Sequence, residues 1–275
     1  MGRRETPRIT GGQDLVRDKN SMPLSKPTLT LMWVLGLALC SNVQAWGQAV
    51  AVKEIHPGML EGYLAEEQLP NSLALLPPPP KDGSAAFARD EEAARASFKL
   101  RGSARWDQAI ADANLAFPAA TDAFSDTLGF EITEKDTPHL YLLLRRTLTD
   151  AGLSTYTAKN HYQRKRPFML NNQPIGTPDE EEGLRKDGSY PSGHTAIGWA
   201  WALILCELVP DRTDAILARG YAFGQSRVIC NVHWQSDVDA GRIMGAAAVA
   251  RLHADEEFLA DLKKAKAEAK AETLD

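Results

Sequence analysis

The chain has 275 residues, 24% of them charged, and a formal net charge of -5. A hydrophobic share of 44% is ordinary globular usage and excludes whole-chain disorder. The acidic balance excludes a protein that grips nucleic acid by broad phosphate neutralisation, and three cysteines are too few for a disulfide scaffold or a cysteine-rich zinc module.

Residues 1–45 read as an upstream extension followed by a cleavable export signal. Leu29–Cys40 (LTLMWVLGLALC) is apolar apart from Thr30, Lys26 precedes it, and Val43-Gln44-Ala45 ends in a small residue at the cut. Cleavage after Ala49 is the second option. The run is too short to span a bilayer comfortably. Met22 is the expected start, which leaves residues 1–21 as the extension. Leu39 is bulky where a lipoprotein cut before Cys40 wants a small residue, and Arg3-Arg4 lies far from the apolar run. Without residues 1–45 the mature chain, 46–275, carries -8. It keeps Cys206 and Cys230, which either pair in an oxidising compartment or stay as two buried thiols.

Ala49–Leu76 reads as an irregular arm with a few helical turns, and Pro77–Pro80 as a stiff extended stretch. Ser84 caps a helix that runs to about Phe98. Ser103 caps another through Trp106, Ile110, Ala113 and Phe117, at spacings of three and four. Asp136-Thr137-Pro138 starts a helix whose apolar face is Leu140, Leu143, Leu144 and Leu148. Thr195–Val209 is apolar enough to be buried. Asp211 opens a helix through Ile216, Tyr221 and Val228, and Ser236 or Asp237 opens an Ala-rich one to Leu252. The tail Lys263–Glu272 (KKAKAEAKAE) reads as a solvated, frayed helix. Strand-like alternation is nearly absent. The expected fold is all-α, a single-domain helical bundle with long connections. No segment of the mature chain reaches the length of a membrane helix, so no membrane association is expected after signal cleavage.

Three blocks carry chemistry. In Lys159–Pro167 (KNHYQRKRP), Lys159 and Arg166 are seven apart, two helical turns, which puts both cations on one face. Taken alone, such a cluster is an exposed basic face. In Gly188–Thr195 (GSYPSGHT), Ser192, Gly193 and His194 stand at the start of the long apolar helix, where free N–H groups favour an anion. Taken alone, this is a capped helix start with a satisfied histidine. In Ser226–Asp237 (SRVICNVHWQSD), His233 and Asp237 are four apart and therefore helix neighbours, and Arg227 offers a bidentate fork. Taken alone, His-x-x-x-Asp is a surface pair or half a metal site. Together the blocks supply three cations, a glycine-bearing helix start and two histidines, one with an acidic partner. Those are the parts that phosphoryl transfer uses.

The order K-x6-RP, PSGH, SR-x5-H-x3-D resembles the type 2 phosphatidic acid phosphatase and vanadium haloperoxidase superfamily. Within it, GSYPSGHT is similar to the signature of the bacterial class A non-specific acid phosphatases. LPNSLALLPPPP, TDAGLSTYTAKNHYQR and GQSRVICNVHWQSDVDAGR also look like that family, so the likeness runs from about residue 60 to the C-terminus. The resemblance implies a periplasmic enzyme that hydrolyses phosphate monoesters of broad type, nucleotides, sugar phosphates and aryl phosphates among them. It implies His233 as nucleophile, Asp237 as its orienting carboxylate and His194 as acid and base. Lys159, Arg166, Ser192, Gly193 and Arg227 would hold the phosphoryl oxygens. It implies no metal or other cofactor, inhibition by vanadate, and a homo-oligomer. His56, His139, His161 and His253 are expected to be structural or exposed. The competing readings are a vanadium-dependent haloperoxidase on the same scaffold, a non-catalytic phosphate-binding protein, and a metal hydrolase that uses His233 and Asp237 as ligands.

Overall fold

Start signals in the sequence set most of the helix boundaries. The computed structural model describes residues 52–274. A two-stranded antiparallel hairpin comes first, β1 (Glu54–His56) and β2 (Met59–Leu60). Asn71 caps α1 (Ser72–Leu75). Ser84 caps α2 (Ala85–Ser97) and Ser103 caps α3 (Ala104–Ala111), each hydroxyl accepting the N–H three residues on. The short α4 (Asp122–Leu128) ends on the left-handed Gly129. Pro138 opens α5 (Pro138–Leu153), as expected. The short helices α6 (Tyr156–Tyr162), α7 (Pro167–Asn171) and α8 (Glu181–Leu184) lead to α9 (Gly193–Leu208). Then come α10 (Thr213–Ile229), α11 (Gln235–Leu252) and α12 (Glu256–Glu272). The all-α bundle with long connections is therefore what forms, and the described residues belong to one compact unit. The expected extension and export signal, residues 1–45, lie outside the described residues.

The apolar helix α9 is the axis of the bundle, with α5, α10 and α11 packed on it. Its Ile197, Ala200, Trp201, Ile204 and Leu205 join Leu140, Leu143 and Leu144 of α5 and Phe223 of α10 in the main core. Trp201 buries its ring and donates its indole N–H to Leu144 O at 3.0 Å. Small residues set how closely the helices approach. A Cβ on Gly241 of α11 would sit 2.6 Å from Ser192 O, and one on Gly245 2.5 Å from Ala196 O. The start of α9 is thus pressed against α11, which bears on the site.

Four expectations need correction. The helix capped by Ser103 ends at Ala111, so Ala113 and Phe117 lie beyond it. The arm before Pro77 holds the hairpin as well as short turns, because α5 supplies polar anchors for it. Asp150 accepts the N–H groups of Tyr63 and Leu64, each at 3.0 Å, and Thr149 donates to Leu60 O at 2.6 Å. The tail is packed rather than solvated and frayed. It belongs to α12, capped by Asp255, and Phe258, Ala265 and Ala269 are fully buried against the core. Glu268 reaches back to accept the N–H groups of His139 and Leu140 at the start of α5, at 3.0 and 2.9 Å. The narrow stripe of alanines four apart was masked by the lysines and glutamates around it. Asp211 lies in a 3-10 turn, Pro210–Arg212, and α10 proper begins at Thr213.

Cys206 and Cys230 are free thiols, and Cys230 is fully buried. Among the described residues no helix is long and apolar enough to cross a membrane.

Candidate active site

The first block does not form one continuous helix. Pro167 disfavours helical geometry at the residue before it, and Arg166 is extended (φ -76°, ψ 156°). α6 ends at Tyr162, with Gln163 in the left-handed region at φ 43°. Lys159 and Arg166 still converge, by a turn instead of a shared helix face. Both donate to one oxygen of Asp187, Lys159 Nζ at 2.8 Å and Arg166 Nη2 at 2.9 Å. Lys159 Nζ also donates to Gly188 O at 2.6 Å. Burial, reinforced by the Arg166 charge and opposed by Asp187, pushes the Lys159 ammonium down to about 8.

The second block caps α9. Ser192 Oγ accepts from Thr195 N–H and from the Thr195 hydroxyl, at 3.3 and 3.0 Å, while its own proton stays available to donate. Ser192 N–H donates to Asp237 O at 2.9 Å and fastens the start of α9 to α11. His194 follows Gly193 in the first turn. Its Nε2 lies 2.9 Å from Ala113 O, a pure acceptor, so Nε2 carries the proton and Nδ1 the lone pair. Burial, with help from the Arg227 charge, holds this imidazole well below the ordinary histidine range.

The third block turns between α10 and α11. Arg227 lies in the last turn of α10, and Asn231 takes φ 61°. His233 stands just outside α11 rather than on it, and Asp237 is in the first turn. Their contact survives, with His233 Nδ1 3.4 Å from Asp237 Oδ2. The other ring nitrogen, Nε2, lies 3.0 Å from Arg166 Nη1. A guanidinium has no lone pair to offer, so Nε2 accepts and the ring proton sits on Nδ1, towards Asp237 and the Ser189 hydroxyl. Burial first, then Arg166, Lys159 and Arg227, hold His233 well below its ordinary range. The imidazole is neutral, with its lone pair among cations.

Behind His233 the carboxylate is saturated. Asp237 accepts from Arg164 Nη1 at 2.6 Å, Ser189 Oγ at 2.5 Å and Trp234 N–H at 2.8 Å. Burial pushes the Asp237 carboxyl up, and Arg164 and these donors pull it back. Arg164 also binds Asp90 of α2 at 2.7 Å, and Asp90 accepts the Ser236 hydroxyl and N–H at 2.6 and 2.8 Å. In front of His233 the opposite holds. Arg227 is 0% exposed, and none of its three guanidinium nitrogens has a hydrogen-bond partner. Its nearest counter-charge is Glu180, at 3.5 Å. An orphaned buried guanidinium is costly unless an anion completes it.

Lys159, Arg166, Gly193, His194 and His233 line one cavity of about 450 Å³; Ser192 directly precedes Gly193, Asp237 contacts His233, and the Arg227 charge acts on both histidines. All eight predicted site residues therefore gather at one place. His56 and His161 are exposed, and His253 pairs with Glu207. His139 is buried, and none of these four lines the cavity. Among the described residues no group of three or more His, Cys, Asp or Glu is placed to hold a metal ion.

Residues 140–258, which contain all three blocks, match the PAP2 superfamily. The chain is 50% identical over 207 residues to the non-specific acid phosphatase of Providencia stuartii, covering 75% of this chain and 84% of that one. It is 44% identical over 210 residues to the non-specific acid phosphatase of Salmonella typhimurium, covering 76% and 84%. It is 41% identical over 232 residues to the acid phosphatase of Zymomonas mobilis, covering 84% and 88%. The chain belongs to the bacterial non-specific acid phosphatases.

Four residues of the candidate site carry no expectation from the sequence: Arg164, Ser189, Asp187 and Asp90. The first two lie inside the blocks already singled out, and Asp187 immediately precedes one of them. Asp90, on an Ala-rich helix among other charges, carried no local signal. The rest of the cavity lining is largely apolar, with Leu115, Leu148, Leu153, Tyr156 and Leu184 among it. The hairpin supplies one edge through Pro57, Gly58 and Met59.

Proposed function

We infer that the protein is a periplasmic acid phosphatase that hydrolyses phosphate monoesters through a phosphohistidine. One observation carries the reading. His233 is neutral, backed at Nδ1 by Asp237, its Nε2 accepts from Arg166, and the ring lines the same cavity as His194, Lys159 and Arg166. The substrate's phosphoryl group lies in the cup, its oxygens held by Lys159, Arg166, Arg227, the Gly193 N–H and the Ser192 hydroxyl. His233 Nε2 attacks phosphorus in line, the N–P bond forms and the P–O ester bond breaks. Protonated His194 gives its proton to the leaving oxygen. Asp237 stabilises the charge that develops on His233. His194 then takes a proton from water as its oxygen attacks phosphorus. The N–P bond breaks, and orthophosphate and the resting imidazole are restored.

The electrostatics favour work in acid. In the empty cup, burial and Arg227 disfavour protonated His194. Low pH, or the negative charge of a bound ester, brings the acid form back. The three cations take the part that a divalent ion plays in other phosphatases. The apolar lining suits the ring of an aryl or nucleoside leaving group.

The test is a substrate panel of aryl phosphate, nucleoside monophosphate and sugar phosphate across pH, with and without chelator. Hydrolysis in acid that survives chelation and is inhibited by vanadate is expected, since vanadate mimics the five-coordinate transition state. Complete loss on chelation with rescue by metal would overturn the mechanism. Halide oxidation by the vanadate-loaded protein, with no ester hydrolysis, would favour the haloperoxidase reading.

A further inference from the structure

Asp187 faces the substrate's cations, and the mechanism above gives it nothing to do. Its Oδ2 accepts from Lys159 Nζ at 2.8 Å and from Arg166 Nη2 at 2.9 Å. Two donors converging on one anionic oxygen is the geometry of a phosphoryl oxygen in such a cup. Of the other carboxylates near the cup, Asp237 is engaged from behind by Arg164, and Glu180 accepts from the Thr177 hydroxyl at 2.7 Å and stands 3.5 Å from Arg227. Asp187 is therefore the carboxylate seated on the two cations that line the cavity.

It is also the part that can leave. The Asp187 side chain is 34% exposed, whereas Lys159 and Arg166 are buried. The backbone beside it is pinned. Arg166 Nε donates to Leu184 O and Asp187 O at 2.9 and 3.2 Å, and Ser189 N–H donates to Arg164 O at 2.9 Å. At Gly188 a Cβ would lie 2.7 Å from Lys159 O, so the chain there has no slack. Only the Asp187 side chain is free to swing towards solvent.

We propose that the Asp187 carboxylate is a built-in competing anion, seated in the free site where a phosphoryl oxygen sits in the bound one, and that its return displaces orthophosphate after turnover. A carboxylate and a phosphate dianion cannot share these two donors without strong repulsion. Any anion must therefore outbid Asp187. A phosphate ester does so with help from its leaving group on the apolar part of the cavity lining. Orthophosphate has only the cup to hold it. The device lowers the cup's affinity for every anion that must displace Asp187, and so keeps the orthophosphate product from lingering. The proposal rests on reading the cup as a phosphate site.

The test compares wild type with the neutral variants Asp187→Asn and Asp187→Ser and the charged control Asp187→Glu, all as full-length mature protein. Equilibrium binding of orthophosphate is measured by calorimetry, and inhibition by orthophosphate is measured against p-nitrophenyl phosphate turnover. Both neutral variants are expected to bind orthophosphate about tenfold tighter, with inhibition by orthophosphate and KM for the ester lowered to a similar degree, and a lower kcat where release limits turnover. Asp187→Glu is expected to stay within about threefold of wild type. Equal or weaker orthophosphate binding in a folded neutral variant overturns the proposal, since a carboxylate that merely steadies the cations gives that sign. A wild type that binds orthophosphate but hydrolyses no ester overturns the phosphatase reading instead, and the binding comparison still decides the role of Asp187.

Discussion

The two sides of His233 are built on opposite rules. Behind the ring, Asp237, Arg164, Asp90, Ser189 and Ser236 form a closed network in which the two carboxylates share one guanidinium and take hydroxyl and backbone donors besides. In front, Arg227 is buried with no hydrogen-bond partner, and Lys159 and Arg166 share an oxygen of the part-exposed Asp187. A saturated network fixes geometry, and an unsaturated one waits for a ligand. The contrast holds one imidazole rigidly from behind while its Nε2 faces Arg166, the arrangement that the proposed nucleophile needs. Mutations behind the ring should therefore report mainly on positioning and stability, and mutations in front on chemistry and anion binding.

The strongest test of the division removes the ring itself. His233→Ala is expected to lower kcat for p-nitrophenyl phosphate by about 10^4-fold or more while the cup still binds orthophosphate. Near-normal turnover in the folded variant would refute the nucleophile. Next comes His194. His194→Ala is expected to slow alkyl phosphates about a thousandfold, the upper range for a lost general acid. The loss in the first step should be much smaller for p-nitrophenyl phosphate, whose leaving group needs no proton. Measuring the rate of alcohol or phenol release before steady state across leaving groups reads this directly. An equal loss in that step for all of them would remove His194 from the role of acid.

How far these roles were legible depends on how local their signals are. The cup residues stand in short blocks, and each block is a helix start or a tight connection with its own sequence mark: Pro167, the Ser192 cap, the turn after Arg227. Reading Lys159 and Arg166 as one helix face gave the right partnership by the wrong path, because the constraint Pro167 places on Arg166 outweighs helix periodicity. The network behind His233 was half hidden. Asp90 comes from α2, 74 positions from Arg164, and nothing near it in sequence reports a long-range partner. The α12 tail shows the same limit, since its alanines gain meaning only once α5 lies beside them.

The back network yields the third prediction. Arg164→Met leaves the Asp237 and Asp90 carboxyls buried without their shared cation. Breaking a buried pair of this kind costs about 3 kcal/mol, to be read by urea denaturation. Without Arg164 the Asp237 carboxyl moves further up, because burial already pushes it that way. The acid limb of the kcat profile should then shift to higher pH, as Asp237 protonates and stops polarising His233. A stable variant with an unchanged profile would place the anchoring of His233 elsewhere.

The smallest effect tests the front. The Lys159 ammonium is pushed down to about 8 from an ordinary 10.5, chiefly by burial. Above about 8 the free cup loses this charge, while the two arginines keep theirs. Orthophosphate affinity should therefore fall, approaching tenfold per pH unit, between about pH 8 and about pH 9.5, where the ligand itself stays a dianion. Stability moves the other way. The folded chain gives up this proton before the unfolded chain does, so the cost of burying the charged amine disappears as pH rises through about 8 towards 10.5. Falling affinity with a rising contribution to stability is a signature that general alkaline unfolding cannot imitate. Lys159→Met should bind orthophosphate weakly and lose the steep dependence on pH. If the wild type binds orthophosphate equally well on both sides of pH 8, Lys159 is not the titrating cation that holds the phosphoryl oxygen, and the front of His233 must rely on its arginines alone.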